Sequence, residues 1–125
     1  MTQKIWIVDD DKLYTLLLTK TIEKLTINSL ISCYPNGEDA IIALKKNNDL
    51  PDIIFLDINM PIMDGWEFLN EYVGLKKELK KNIKIYAVSS SISNCDREKS
   101  ECFHEIAEYL IKPLKKEKLV EILGL

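Results

Sequence analysis

Histidine is nearly missing from this chain. One residue, His104, in 125 excludes a multi-histidine metal centre. Cysteine is scarce too: Cys33, Cys95 and Cys102 are an odd set with no C-x-x-C spacing. Such a set is neither a disulfide framework nor a zinc site, and predicts reduced, partly buried thiols in a cytoplasmic protein. Four Gly and four Pro exclude a collagen-like or low-complexity chain. No apolar run approaches the ~20 residues of a membrane span. The opening run Ile5-Trp6-Ile7-Val8 is too short for a signal peptide and leads straight into aspartates. A net charge of −3 and a pI near 5.2 argue against a general nucleic-acid binder.

What is present is a composition for one packed domain, 46% hydrophobic and 30% charged. Five short β-rich runs recur: Ile5–Val8, Leu30–Tyr34, Ile53–Leu56, Ile83–Val88 and Tyr109–Ile111. The first, third and fourth are almost continuously apolar, as strands buried on both faces of a parallel sheet are. Helical stripes lie between them. Leu18, Ile22 and Leu25 form one, with Leu13 and Leu17 beside it; Ala40, Ile41 and Leu44 form a second; Phe68, Leu69, Tyr72 and Val73 form a third; Leu119, Ile122 and Leu123 close the chain. A weaker helix is expected from Ser93 to about His104, opened by the capping-box-like Ser93-x-x-Asp96. Strand and helix thus alternate five times without repeat or linker. That order predicts right-handed crossovers and an open, doubly wound α/β sheet, with function at the carboxyl ends of the strands.

Those ends carry an unusual set of groups. The first strand runs into Asp9-Asp10-Asp11, the third into Asp57, the fourth into Ser89-Ser90-Ser91 and the fifth into Lys112-Pro113. Two carboxylates about 4 Å apart repel by about 4 kcal/mol at an effective dielectric near 20. Converging aspartates must therefore protonate, separate or bind a cation. A hard divalent ion such as Mg²⁺ suits oxygen ligands. With repulsion screened, an aspartate can attack a phosphoryl group, with Lys112 and the Ser89 hydroxyl binding its oxygens.

The motifs Ile5-Trp6-Ile7-Val8-Asp9-Asp10-Asp11, Pro51 through Gly65, Ala87-Val88-Ser89-Ser90 and Tyr109-Leu110-Ile111-Lys112-Pro113-Leu114 together resemble two-component response-regulator receiver domains. The resemblance spans the chain. It implies a flavodoxin-like (βα)5 fold with strand order 2-1-3-4-5, and residues 1–125 as a single receiver domain without an output domain. It also implies residue roles. Asp57 is the phosphoacceptor; Asp9 and Asp10, with Asp57 and the Asn59 carbonyl, hold Mg²⁺ or another divalent cation. Ser89 and Lys112 bind the phosphoryl group, Tyr109 is the aromatic switch, and the Lys112–Pro113 bond is cis. The implied partners are a sensor histidine kinase or histidine phosphotransfer protein, and a downstream protein contacting the helix 4–strand 5–helix 5 face. No direct nucleic-acid contact and no membrane insertion are expected, and the chain is expected to be a monomer or a phosphorylation-dependent dimer. It catalyses its own phosphorylation and slow dephosphorylation but is not a turnover enzyme. Ser90, the segment His104-Glu105-Ile106-Ala107-Glu108 and Leu114 depart from the usual pattern, around helix 4 and strand 5.

Plainer roles compete at several positions. Asp11 reads as a helix N-cap, and Asp64-Gly65 as a loop-to-helix turn. The lysines at 76–77, 80–81 and 115–118 read as solvated helix faces, His104 as structural or exposed, and Trp66, Phe68 and Tyr72 as packing. A haloacid-dehalogenase-type phosphatase would need Asp-x-Asp where the chain has Asp57-Ile58-Asn59. A phosphate carrier would need Gly or Ser/Thr after the first strand, where three aspartates stand. A non-phosphorylated docking module on the same fold is the alternative left open.

Overall fold

The computed structural model describes residues 2–125. Five parallel strands alternate with five helices: β1 (Gln3–Val8), α1 (Lys12–Leu25), β2 (Ser29–Tyr34), α2 (Gly37–Lys45), β3 (Ile53–Asp57), α3 (Gly65–Leu75), β4 (Lys84–Ser89), α4 (Asn94–Glu101), β5 (Ile106–Ile111) and α5 (Lys116–Leu123). The sheet order is β2-β1-β3-β4-β5, as the resemblance implied. Ile5–Val8 of β1 and all of β3 are buried, as their unbroken apolar runs require.

Four of the five helices start where the sequence supplies a side-chain cap; α5, which follows Lys115, has none. The Asp11 side chain accepts from the Tyr14 N–H at 3.1 Å, and Asn36 accepts from Asp39 N–H at 2.8 Å. Asp64 with Glu67, and Ser93 with Asp96, form reciprocal capping boxes. The last helix ends at Gly124, whose φ of 73° is the left-handed conformation glycine tolerates best.

Two cores follow from the two faces of the sheet. α1 and α5 bury Leu18, Ile22, Leu119 and Leu123 against Ile5, Ile7, Phe55 and Val88. α2 and α3 bury Ala40, Ile41, Leu44, Phe68, Leu69 and Tyr72 against Trp6, Val8, Ile54 and Leu56. Fully buried side chains such as Phe55 and Phe68 contribute ~1.5–3 kcal/mol each. Helix α4 buries none of its residues.

Some expectations need correction. Cys33, Cys95 and Cys102 are all exposed, not partly buried. Leu13 and Leu17 are 65% and 55% exposed, so α1 buries only the stripe through Leu18 and Ile22. Val73 is also exposed, at 38%. β5 begins at Ile106, three residues before the expected start at Tyr109, because pairing with β4 carries the half-exposed stretch Ile106-Ala107-Glu108 into the sheet. Lys76 is not merely solvated: it pairs with Glu105, while Lys81 reaches Asp52 at 2.8 Å and Lys118 reaches Glu108 at 2.9 Å.

Candidate active site

Parallel pairing sets the ends of β1, β3, β4 and β5 side by side. Val8 pairs with Leu56, Asp57 with Val88, and Ser89 with Ile111. The residues just past those positions therefore share one edge. Asp9, Asp10 and Asp57 each offer a carboxylate oxygen, all within 4.8 Å of one another. Asp9 and Asp57 are buried, and Asp10 is exposed. Lys112 brings its Nζ to 2.8 Å from Asp9 and 3.6 Å from Asp57. The Lys112–Pro113 peptide bond is cis, as expected.

Three carboxylates thus face one ammonium. Burial and the neighbouring Asp9 charge push the Asp57 carboxyl up to about 7, against the pull of Lys112 and the Asn59 N–H. Burial works against the Lys112 charge, yet the Asp9 hydrogen bond and the surrounding carboxylates hold its pKa above the usual lysine value. Clustered hard oxygen donors with a deficit of positive charge fit a divalent cation.

The backbone around the cluster is tightly arranged. Asp11 N–H donates to Asp9 Oδ1 at 2.9 Å, and Asn59 N–H donates to Asp57 Oδ1 at 3.3 Å. Gly65 donates its N–H to the Ile58 carbonyl at 2.9 Å. A Cβ at Gly65 would lie 2.8 Å from the Asp57 carbonyl oxygen and 2.7 Å from the Ile58 Cα. Only glycine lets the start of α3 come this close to the end of β3, so Asp64-Gly65 is a turn that positions the site.

Ser89 is fully buried at the end of β4. Its hydroxyl donates to the Ser91 carbonyl at 2.7 Å and accepts from the Asn59 side-chain amide at 3.4 Å. It is therefore beside the carboxylates but engaged with its own loop. The Tyr109 ring packs edge-on against Trp66, with centroids 6.1 Å apart, and its hydroxyl is buried without a hydrogen-bond partner. Burial raises the Tyr109 phenol above its ordinary pKa, with Asp96 and Asp57 adding to the effect and the neighbouring Ser89 hydroxyl opposing it.

One neighbour was missed at the level of sequence. The Tyr14 ring lies under the Lys112 ammonium, 4.2 Å from Nζ to the ring centroid, a cation–π geometry. Burial, followed by Asp9 and Asp57, raises its phenol pKa. The available signal was its position: three residues past the Asp11 cap, in the first turn of a helix that starts at the acidic edge.

The chain matches the response regulator receiver domain model over residues 5–124, and so belongs to that family. Sensor histidine kinase CheAY of Helicobacter pylori is 31% identical over 115 residues, covering 92% of this chain and 14% of that protein. A two-component response regulator from Cytophaga hutchinsonii superposes with a TM-score of 0.86 at 27% identity, covering 99% of this chain and 96% of that one. The phosphorylated cyanobacterial phytochrome response regulator RcpA superposes with a TM-score of 0.81 at 28% identity, covering 98% and 89%. The chain spans between 7% and 21% of the length of the first curated relatives it matches. A magnesium ion is coordinated in the active-site cleft of one solved receiver of this fold, and manganese is bound in another. Receivers are signalling domains of two-component systems rather than turnover enzymes, and phosphorylation with Mg²⁺ is general among them. No helix among the described residues is long and apolar enough to cross a membrane.

Proposed function

We propose that Asp57 accepts a phosphoryl group from a phosphohistidine of a sensor kinase or phosphotransfer protein, and that the acyl phosphate switches binding of a downstream protein. The observation that carries this reading is the convergence of three carboxylates within 4.8 Å, with the Lys112 ammonium 2.8 Å from Asp9 and 3.6 Å from Asp57. Asp9, Asp10, Asp57 and the Asn59 carbonyl would hold Mg²⁺, which supplies the positive charge that lets an anionic nucleophile meet an anionic phosphoryl group.

The chain's own residues do the rest. An Asp57 carboxylate oxygen forms the new P–O bond as the donor's P–N bond breaks, and the leaving imidazole takes up a proton. Lys112, now paired chiefly with Asp9, exchanges part of that pairing for the phosphoryl oxygens. Ser89 releases the Ser91 carbonyl and donates to the phosphoryl group. Moving Ser89 removes a neighbour of the already buried Tyr109 hydroxyl, so the tyrosine repacks and reshapes the face made by α4, β5 and α5. Helix α4, with no buried residue, is the element least anchored against such a shift. Hydrolysis of the acyl phosphate by water returns the carboxylate and resets the switch. The described residues act as one receiver unit. Three exposed thiols suit a reducing, cytoplasmic compartment.

The test is incubation with acetyl phosphate and Mg²⁺ followed by intact mass measurement. One phosphoryl group is expected on the parent protein, and none on Asp57→Asn or in excess chelator. An unmodified parent protein, or equal labelling of Asp57→Asn, would leave only the docking-module alternative.

A further inference from the structure

The two edges of the sheet are built differently. On β5, Glu108 pairs with Lys118, and the register shifts opposite Ile85 and Tyr86. A charge and an irregularity of this kind protect an edge strand from pairing with another chain. On β2, Ser29-Leu30-Ile31-Ser32-Cys33-Tyr34 has no charge, no proline and an unbroken register with β1.

The β2 backbone has a free side. The carbonyls of Asn28 and Tyr34 accept from Gln3 and Asp9 N–H groups, so even-numbered residues of the strand face β1. The N–H and C=O groups of Ser29, Ile31 and Cys33 therefore point outward, away from the sheet. No hydrogen bond among the described residues takes them up. Leu30 is 59% exposed on the strand and Ile27 is 94% exposed just before it. A cavity of about 360 Å³ opens between α1 and β2, lined in part by Leu16, Thr19, Cys33 and Pro35.

We propose that this edge pairs with β2 of a second copy of the chain, antiparallel about a two-fold axis through Ile31. The strand's own pattern argues for a second copy over a foreign strand. About that axis Ile31 meets Ile31, Ser29 meets Cys33, and Leu30 meets Ser32. Every facing pair is neutral, each larger residue off the axis meets a small one, and the central pair is β-branched, a favourable cross-strand match. Each outward-pointing pair exchanges two backbone hydrogen bonds, so all the free groups are satisfied. The same alignment brings Ile27 towards Pro35 of the second copy and covers the exposed Leu30. The result is one continuous sheet with β5 at both outer edges, where the protective features already lie.

The experiment reads register as well as mass. In a Cys95→Ser/Cys102→Ser background, Ser29→Cys places its new thiol opposite Cys33 of the second copy. Mild oxidation is expected to link the copies rapidly. The background protein, with Cys33 alone, stays unlinked because its two thiols lie roughly 13 Å apart at ~3.3 Å per residue. Leu30→Cys, one residue out of register, links at least about tenfold more slowly, since a disulfide needs Cα atoms within ~7 Å and converging side chains. Sedimentation of the parent protein at rising concentration shows the 14.5 kDa species doubling in mass. Leu30→Lys with Ser32→Lys sets like charges directly opposite each other and raises the dissociation constant about tenfold or more, while the exposed positions leave the monomer folded. A parent that stays at one copy throughout overturns the proposal. So does equal linkage of Ser29→Cys and Leu30→Cys, or undiminished dimerisation of the double lysine variant. None of these readouts depends on phosphorylation of Asp57.

Discussion

Strand β3 is bracketed by two aspartates with opposite fates. Asp52, just before it, accepts from the Lys4 N–H at 2.8 Å and from Lys81 Nζ at 2.8 Å. Although burial opposes it, these donors hold the Asp52 carboxyl below the ordinary carboxylate pKa. Asp57, at the far end, shares one lysine with Asp9 and is pushed up to about 7. The same contrast recurs on β5, where Glu105 is lowered against burial by Lys76, at the opposite end of the strand from Lys112. Near the amino end of the sheet Asp52 and Glu105 each have their own lysine. At the carboxyl end charge is left unbalanced, and the proposed cation and phosphoryl chemistry rests on that imbalance.

The sharpest way to break this contrast is Asp57→Asn. It is expected to abolish acetyl phosphate labelling altogether, read by intact mass, while raising the stability of the metal-free protein in denaturant titrations at neutral pH. Next in size is Lys112→Met, which removes the ammonium paired with Asp9 and Asp57. Phosphorylation should slow about 10²–10³-fold, the usual cost of losing one charge-stabilising donor, as measured by initial labelling rates.

A pH series without metal should separate the two ends energetically. Folded Asp57 keeps its proton to about pH 7, whereas the unfolded group loses it near 3.8. Between those values the folded state binds more protons, so the Asp57 contribution is most favourable below about pH 4 and is lost as pH rises to about 7. The stability difference between parent and Asp57→Asn should widen over that interval, on the order of 2–4 kcal/mol, and then level off. Saturating Mg²⁺ should narrow it. A difference that stays flat from pH 4 to 8 would remove the electrostatic account of the site.

Smaller still is Gly65→Ala. Its Cβ meets backbone at 2.7 and 2.8 Å and the Ile58 side chain at 2.6 Å, for a loss of about 1–3 kcal/mol in denaturant titrations, with slower labelling because the end of β3 must shift. Smallest is Asp52→Asn. Its lysine partner is half-exposed, so the loss should stay below about 1 kcal/mol at neutral pH. Because the Asp52 pKa is lowered, that contribution is present above the unfolded value and fades as pH falls below it. Labelling of Asp52→Asn should match the parent.

Much of the fold was legible because β1, β3 and β4 are buried on both faces and advertise it in unbroken apolar runs. The caps at Asp11 and Ser93 were legible because capping is a local act between residues three apart; Asp64 was read only as part of a turn, and its capping box with Glu67 came from the structure. The edges were harder. The first half of β5 carries Glu108 and lies half-exposed, so its pairing came from β4 and not from its own composition. The cysteines were misjudged because a small apolar residue on an edge strand or on an unburied helix has the same identity as one in a core. In the site, Asp9, Asp10, Asp57 and Lys112 stood out as polar residues ending apolar runs. Tyr14 did not, since its contact with Lys112 joins residues nearly a hundred positions apart.

The order of apolar runs, the helix caps and the polar residues at strand ends are properties of short stretches of chain, and the amino-acid sequence determined them alone. The folded arrangement decided which carboxylates went unpaired, that Ser89 is held by Ser91, that Tyr14 lies beneath Lys112, and that β2 has a free, uncharged side. Burial and Coulomb interactions depend on distance in space, and parallel pairing of β1, β3, β4 and β5 is what turns four separate chain positions into one charged hollow.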